Sequence, residues 1–194
     1  ERKSAIEFDK TLRPEENAKL SKFDAGNLVA NTEWAQSGGD TSHIMGNLEL
    51  SEGGLKKIWS ADIGDGTKSR LPLTAQPIVL GESIFTLDTS ATLSSFDTSN
   101  GKRRWNIDVR DVNEPDSVIS GGISSGNGLI FVTAGYNEVL AVNAVDGEIK
   151  WRTKITSPSR AAPTFLDGRV FVTTLDSNIL ALNANDGKIE WEFA

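Results

Sequence analysis

The stretch Ala141–Trp151, "AVNAVDGEIKW", has the pattern of a strand, a tight turn and a second strand. Nearly the same phrase returns as "ALNANDGKIEW" at Ala181–Trp191, and an earlier copy, "SFDTSNGKRRW", occupies Ser95–Trp105. Asn-Gly and Asp-Gly dipeptides suit a type I′ turn, which needs positive φ at both central residues. We therefore predict that each copy forms two antiparallel strands joined by a type I′ turn.

A second turn signal and an alternating, β-branched strand precede each copy. The distance from the upstream glycine to the tryptophan is nearly constant, at 24, 23 and 23 residues for Gly81, Gly128 and Gly168. The distance from one tryptophan to the next upstream glycine varies, at 22, 23 and 17 residues. The constant interval is expected to hold packed strands, and the variable one a surface loop. The strands predicted for the last unit are Ala162–Leu166, Val170–Thr174, Asn178–Asn183 and Lys188–Phe193.

The repeat has a period of 40 to 46 residues and four strands, which is typical of a β-propeller blade. We predict an all-β chain with three complete blades, at residues 75–110, 118–155 and 161–194. A lead-in segment, residues 34–74, is expected to contribute one outer strand around Trp59, at Leu55–Ile63. Residues 1–33 are rich in charge and are interpreted as a tether.

Six positions of the repeat are assigned a structural role. A four-stranded sheet cannot bury both faces alone, so a bulky tryptophan near its end would fill the gap between neighbouring blades. Stacking on a ligand is the alternative role for these tryptophans. The six positions are Gly101, Trp105, Gly147, Trp151, Gly187 and Trp191.

Composition excludes several classes of function. The formal net charge is -7 and the pI is about 4.8, which disfavours a nucleic-acid binder because phosphate recognition needs a basic face. The chain has no cysteine, so it contains no thiolate metal site, disulfide or cysteine nucleophile. No apolar run approaches the roughly 20 residues of a membrane-spanning helix.

Two short motifs invite a functional interpretation. "GISSG", at Gly122–Gly126, matches the Gly-x-Ser-x-Gly pattern, but an Asn-Gly turn and another strand follow it instead of the helix of a nucleophile elbow. Ser124 is therefore not expected to be a nucleophile. "RDVNEPDSV", at Arg110–Val118, is the longest variable loop and is the best candidate for a partner contact. Its candidate partner-binding residues are Arg110, Asp111, Asn113, Glu114 and Asp116.

The repeat resembles that of PQQ-like propellers, whose pattern runs Ala-x-Asp-x-x-x-Gly-x-x-x-Trp. Ala141, Asn143, Gly147 and Trp151 match this pattern with Asn in place of Asp, and the other two copies match similarly. The lead-in stretches "EWAQSGGD", at Glu33–Asp40, and "WSADIG", at Trp59–Gly64, resemble the BamB family of outer-membrane assembly lipoproteins in its alphaproteobacterial form. The resemblance implies the N-terminal portion of an eight-bladed ring.

What this resemblance implies is a non-catalytic scaffold of the outer-membrane β-barrel assembly machinery. Such a scaffold would lie at the periplasmic face of the outer membrane, with a lipid anchor outside this chain. It would bind the periplasmic domains of BamA, contact unfolded outer-membrane proteins and assist their insertion. Three blades fall short of a closed ring, so self-association through open blade edges is also expected.

Two other functions share the fold. A PQQ-dependent quinoprotein dehydrogenase would need cationic and amide groups around the quinone, a metal ion and a catalytic carboxylate, and the sequence shows no such constellation. A ligand-sensing propeller is neither supported nor opposed by any motif. We therefore expect no catalysis and no cofactor.

Overall fold

Three four-stranded antiparallel sheets form the protein. The computed structural model describes residues 24–50, 53–69, 71–110, 120–134 and 137–194. Blade 1 contains β1 (Ile78–Leu80), β2 (Ser83–Leu87), β3 (Thr92–Asp97) and β4 (Arg103–Asp108). Blade 2 contains β5 (Ser120–Gly126), β6 (Leu129–Ala134), β7 (Glu138–Asn143) and β8 (Ile149–Lys154). Blade 3 contains β9 (Thr164–Leu166), β10 (Arg169–Thr173), β11 (Ile179–Asn183) and β12 (Ile189–Phe193).

The sheets are arranged as successive blades of a propeller. Each sheet is a simple meander whose strands pair in chain order. The first strands of successive blades contact each other, β1 with β5 and β5 with β9, so they form the inner edge of the fan. The prediction of an all-β chain made of PQQ-like blades is confirmed, and the predicted bounds in blade 3 differ from the observed strands by at most two residues. No helix in the described ranges is long and apolar enough to cross a membrane.

Two hydrophobic clusters hold the blades together, one on each side of blade 2. Along β6, Ile130 and Val132 belong to the cluster shared with blade 1, whereas Phe131 belongs to the cluster shared with blade 3. Along β7, Leu140 and Val139 divide in the same way. Successive side chains of a strand point to opposite faces, so a sheet covered on both sides needs an apolar residue at every position. This explains the uninterrupted apolar runs in the middle of the chain.

The outer face of blade 3 is less well covered. Trp191 is 44% exposed and Phe193 is 69% exposed, although the other face of the same sheet is completely buried at Leu180 and Leu182. Burial of apolar area is the main favourable term in such packing. Among the described residues no further sheet covers this face.

The predicted type I′ turns are wrong at the Asn-Gly and Asp-Gly sites of the repeat. Gly101 has a φ of 71°, but Asn100 before it is not in the left-handed region, and the other two copies behave in the same way. The loop is larger because the Asp97 side chain accepts the Ser99 backbone N–H at 2.9 Å, and the Gly101 N–H then bonds the Asp97 carbonyl at 2.9 Å. Type I′ turns occur instead between the first and second strands, at Asn127-Gly128 and at Asp167-Gly168, where both residues have positive φ.

The predicted outer strand Leu55–Ile63 is not observed. Its residues form no ladder with any described strand. Trp59 nevertheless packs against blade 1, and its Nε1–H donates a hydrogen bond to the Thr98 carbonyl at 2.8 Å. The Asp62 carbonyl also accepts a hydrogen bond from the Arg103 guanidinium at 3.1 Å, so two side-chain contacts hold the segment, which lacks strand pairing within the described chain.

Candidate functional site

The meander places the connecting segments on two opposite faces. The turns between first and second strands share one face with the glycine loops between third and fourth strands, and we call this the turn face. The loops between second and third strands share the other face with the connections between blades, and we call this the loop face. Propeller partners are bound by loops held on rigid blades, so the loop face with its long connection is the candidate interaction site.

Arg110 lies at the start of the long connection between blades 1 and 2. Its guanidinium Nε is 3.0 Å from both carboxylate oxygens of Asp108. The hydrogen bond from Arg110 lowers the pKa of Asp108, with a smaller lowering from the charge of Arg152. The other four predicted contact residues, Asp111, Asn113, Glu114 and Asp116, lie outside the described residues.

An ion pair between a buried glutamate and a partly exposed arginine fixes the base of this connection. The Arg152 Nη1 donates to the Glu138 carboxylate at 2.6 Å, and Glu138 is only 6% exposed. The same guanidinium donates to the Val109 carbonyl at 3.1 Å and to the Arg110 carbonyl at 3.3 Å. Arg152 thus ties the end of blade 1 to blade 2, and a charge-assisted fork of this kind holds its partners in a defined geometry. Sequence reasoning missed this pair, because its members lie on different strands, 14 residues apart, and Arg152 is one of three basic residues along β8.

Trp105 and Trp151 each pack on the repeat glycine of the following blade. A Cβ atom at Gly187 would lie 2.5 Å from the ring of Trp151, and one at Gly147 would lie 3.0 Å from the ring of Trp105. Trp59 has the same relation to Gly101, at 2.5 Å. The close approach therefore requires glycine, as does the positive φ at these positions.

The tryptophan ring nitrogens complete these contacts. Trp105 Nε1 donates to the Ala144 carbonyl at 3.2 Å, and Trp151 Nε1 donates to the Ala184 carbonyl at 2.9 Å. Trp191 packs against Phe171 of its own blade, with ring centroids 5.9 Å apart, and within the part of the chain that the structure describes it meets no following glycine. The structure thus places Trp105 and Trp151 between blades and leaves Trp191 at an open face.

Within a blade, the tryptophan lies in a row with a small residue and a phenylalanine. Register pairs Phe131 with Ala141 and Ala141 with Trp151, so the three side chains cross neighbouring strands on one face. The rings of Phe131 and Trp151 have centroids 6.1 Å apart. A residue as small as alanine between them leaves room for both rings, which explains the small residue at the start of the repeat pattern.

In all three blades the third and fourth strands are joined by a loop with the same side-chain hydrogen bond. The side chains of Asp97, Asn143 and Asn183 each accept the backbone N–H two residues later, at 2.8 to 2.9 Å. In blade 1 the Ser99 hydroxyl and then the Arg104 guanidinium also bond the Asp97 carboxylate, and they lower its pKa to about 2. An amide performs the same turn-forming role in the other two blades, so the charge of Asp97 is not required for the loop itself.

A strap formed by Trp34–Gln36 crosses the inner strands of all three blades. Trp34 exchanges two backbone hydrogen bonds with Val79 of β1, at 2.9 and 2.8 Å. The next residue, Ala35, accepts the Ser125 N–H of β5 at 2.7 Å. Gln36 is 2% exposed, and its side-chain amide pairs with the peptide of Phe165 in β9, accepting at 3.1 Å and donating at 3.4 Å.

The three partners of the strap occupy the same position in their blades. Val79, Ser125 and Phe165 are each the second residue before the turn that ends the first strand. Their peptide groups face away from the second strand, so without the strap these groups would lie unpaired at the edges of the sheets. The strap therefore covers the inner edge of the fan with the chain's own residues.

The Gly-x-Ser-x-Gly motif at Gly122–Gly126 is part of the core. Ser124 lies inside β5 with no exposed surface, and its Oγ has no hydrogen-bond partner in the described part of the chain. His43, the single histidine of the sequence, places its Nδ1 2.6 Å from the Ser37 carbonyl. Across the described ranges no group of three His, Asp or Glu side chains is placed to hold a metal ion. A nucleophile elbow needs an exposed serine and a base, and neither condition holds at Ser124.

Comparison with known proteins relates this geometry to a family. A sequence model described as outer membrane protein assembly factor BamB matches residues 92–194. The BamB protein of Yersinia pestis is 28% identical over 117 residues, which cover 58% of this chain and 30% of that protein. The chain thus spans about three tenths of the length of this curated relative.

Two solved structures have the same fold. BamB from Moraxella catarrhalis superposes with a TM-score of 0.55 at 20% identity, over 69% of this chain and 39% of that one. Quinohemoprotein alcohol dehydrogenase from Comamonas testosteroni superposes with a TM-score of 0.64 at 17% identity, over 85% of this chain and 27% of that one. At such identities the superpositions establish the propeller architecture alone.

The family assignment rests on the sequence match. The matched residues 92–194 make up more than half of the 194-residue chain and include the repeat tryptophans and glycines of all three blades. The curated BamB relative adds an independent match of similar extent. The chain therefore belongs to the family of the outer membrane protein assembly factor BamB.

Proposed function

We propose that this chain is a non-catalytic scaffold in outer-membrane protein assembly and binds its partner through the loop face. The observation that carries the proposal is the family match over residues 92–194, which contains the long connection between blades 1 and 2. The Glu138–Arg152 pair supports it, because the Arg152 guanidinium also bonds the Val109 and Arg110 carbonyls and so fixes the residues at which the connection begins. Rigid blades then supply position, and the loops supply recognition.

The partner that we propose is the periplasmic part of BamA, with unfolded outer-membrane proteins as transient contacts. The connection carries Arg110 followed by the acidic residues Asp111, Glu114 and Asp116. Charged groups at the rim of an interface set orientation and association rate more than affinity. The proposed location is the periplasmic face of the outer membrane, with a lipid anchor that belongs to the full protein.

A quinoprotein dehydrogenase is the second candidate, because one such enzyme has the same fold. The residues on the inner edge do not fit its cofactor. The positions facing the strap are Val79, Ser125 and Phe165, none of which is a cation or a carboxylate, and their peptide groups already pair with Trp34–Gln36. No described trio of acidic or histidine side chains could hold the accompanying metal. These observations favour the scaffold.

A binding experiment tests the proposal. The affinity of the purified chain for the purified periplasmic domains of BamA would be measured by isothermal titration calorimetry. Deleting Val112–Ser117 is expected to weaken binding by about tenfold or more, which corresponds to about 1.4 kcal/mol. The thermal unfolding of the deletion variant should stay close to that of the parent chain, because surface loops tolerate length changes.

A matched control uses the opposite face. Val145 is 83% exposed in the glycine loop of blade 2, on the turn face, so Val145→Glu should leave binding unchanged. If the deletion variant binds BamA as tightly as the parent, the connection is not the contact. If the parent chain itself does not bind BamA, the proposed partner is wrong. Oxidation of an alcohol by the chain after addition of the quinone and calcium would overturn the scaffold assignment.

A further inference from the structure

The sequence contains two Asn-Gly dipeptides, Asn100-Gly101 and Asn127-Gly128, which lie in different turns. In such a dipeptide the glycine backbone nitrogen can attack the asparagine side-chain amide carbon, because no side chain on the glycine hinders the approach. Asparagine is accordingly one of the thermolabile residues. The reaction requires a glycine N–H that is free of other bonds and an asparagine side chain that can reorient.

The first dipeptide is protected by its surroundings. The Gly101 N–H donates to the Asp97 carbonyl at 2.9 Å, and the Asn100 Oδ1 accepts the Lys102 N–H at 2.8 Å. The ring of Trp59 lies directly over Gly101. Both reacting groups are therefore held, and the attack requires the loop to open first.

The second dipeptide is open. Asn127 and Gly128 form the exposed tip of the type I′ turn between β5 and β6, with φ values of 53° and 75°. Within the described part of the chain, the Gly128 N–H donates no hydrogen bond and the Asn127 side chain has no partner. A Cβ at Gly128 would meet no atom within 4 Å, so nothing is packed over the turn.

We propose that Asn127 is a site of spontaneous deamidation and that Asn100 is not. A bond forms between the Gly128 nitrogen and the Asn127 Cγ, the bond from Cγ to Nδ2 breaks, and ammonia leaves with the proton lost by the glycine nitrogen. One water molecule then opens the resulting succinimide. Attack at the side-chain carbonyl gives aspartate, and attack at the main-chain carbonyl gives isoaspartate.

The two products have different consequences for blade 2. Aspartate is compatible with the turn, because Asp167 holds the equivalent position in blade 3 with a φ of 49°. Isoaspartate adds a methylene to the main chain and lengthens the turn. The strand before it cannot shift to accommodate this, because a Cβ at Gly126 would already lie 2.1 Å from the Phe165 ring. The isoaspartate form should therefore disturb the pairing of Gly126 with Leu129, whereas the aspartate form leaves it intact.

The test compares the two sites in the same sample. The full chain would be incubated in mildly alkaline buffer, digested and analysed by peptide mass spectrometry, and isoaspartate would be quantified with an isoaspartyl methyltransferase and labelled S-adenosylmethionine. The peptide with Asn127 should be converted at least about tenfold faster than the peptide with Asn100, which matches a protection of about 1.4 kcal/mol or more at Asn100. The variant Asn127→Asp should release no ammonia from this site and should unfold like the parent.

Denaturant provides the control for intrinsic reactivity. In concentrated urea the two dipeptides should react at similar rates, because both are then unstructured. Equal native rates at the two sites, or faster conversion of Asn100, would overturn the proposal. Native Asn127 that resists conversion while the urea-treated chain reacts would overturn it as well.

Discussion

Replacing Trp151 by alanine tests the contact that joins blade 2 to blade 3. Trp151 is only 9% exposed, and its ring lies against Gly187. A tryptophan buries about 150–250 Å², and removing such a ring from a core costs about 3–5 kcal/mol. The Ala184 carbonyl also loses the Nε1–H donor at 2.9 Å, which costs about 1 kcal/mol. We expect a loss near the upper end of the range, about 4–5 kcal/mol.

The matched control is Trp191→Ala at the same position of blade 3. This ring is 44% exposed, and among the described residues it meets no glycine of a following blade, so its removal opens no closed cavity. A loss of about 1–2 kcal/mol is expected from partial burial alone. Urea unfolding followed by circular dichroism would give both values, with equal slopes as a check on the comparison. If Trp151→Ala costs less than about 0.5 kcal/mol, or no more than the control, the ring does not hold the blades together.

Three other substitutions test separate features. Gly187→Ala would place a Cβ 2.5 Å from the Trp151 ring at a φ of 72°, so the melting temperature should fall with a loss of about 2–4 kcal/mol, and an unchanged melting temperature would contradict this contact. Gln36→Ala leaves the Phe165 N–H and carbonyl unpaired, so the free energy of unfolding should fall by about 1–3 kcal/mol. Hydrogen exchange at the Phe165 amide should accelerate in this variant. An unchanged exchange rate of the Phe165 amide would argue against the strap. The carboxyl of Asp97 has a pKa lowered from 3.8 to about 2, so its contribution to stability is present above pH 3.8 and is lost as the pH falls toward 2. Asp97→Asn should remove this part of the pH dependence of unfolding. Identical acid unfolding profiles of the two proteins would refute the assignment.

The strands could be predicted because their signals are local. Alternation and β-branched residues mark β2, β6 and β10. The dipeptides Asn127-Gly128 and Asp167-Gly168 mark the turns before β6 and β10, and both residues of each have positive φ in the structure. The glycine loops were misassigned for an equally local reason. Asp97 and its equivalents capture a backbone N–H through their side chains, and this competing hydrogen bond turns an apparent two-residue turn into a larger loop.

The strap and the Glu138–Arg152 ion pair could not be predicted in this way. Gln36 bonds Phe165, which lies 129 residues away, and each residue of the strap bonds a different blade, so no periodic pattern marks it. Glu138 is the one charged residue of β7, whereas Arg152 shares β8 with Lys150 and Lys154, so nothing in the sequence singles out this pair. Of the predicted contact residues, Asp111, Asn113, Glu114 and Asp116 remain a prediction, because they lie outside the described residues.

The contact between tryptophan and glycine has a consequence for how such chains can change. Gly147 and Gly187 receive the preceding blade through the same geometry, and the segment between them carries Trp151. A segment that runs from one glycine to the next, 40 residues here, is thus a cassette with matching ends. Cassettes of this kind can be duplicated, removed or exchanged between propellers without redesign of the junction, whereas the connections on the loop face can diverge freely. The number of blades and the choice of partner are therefore free to evolve independently.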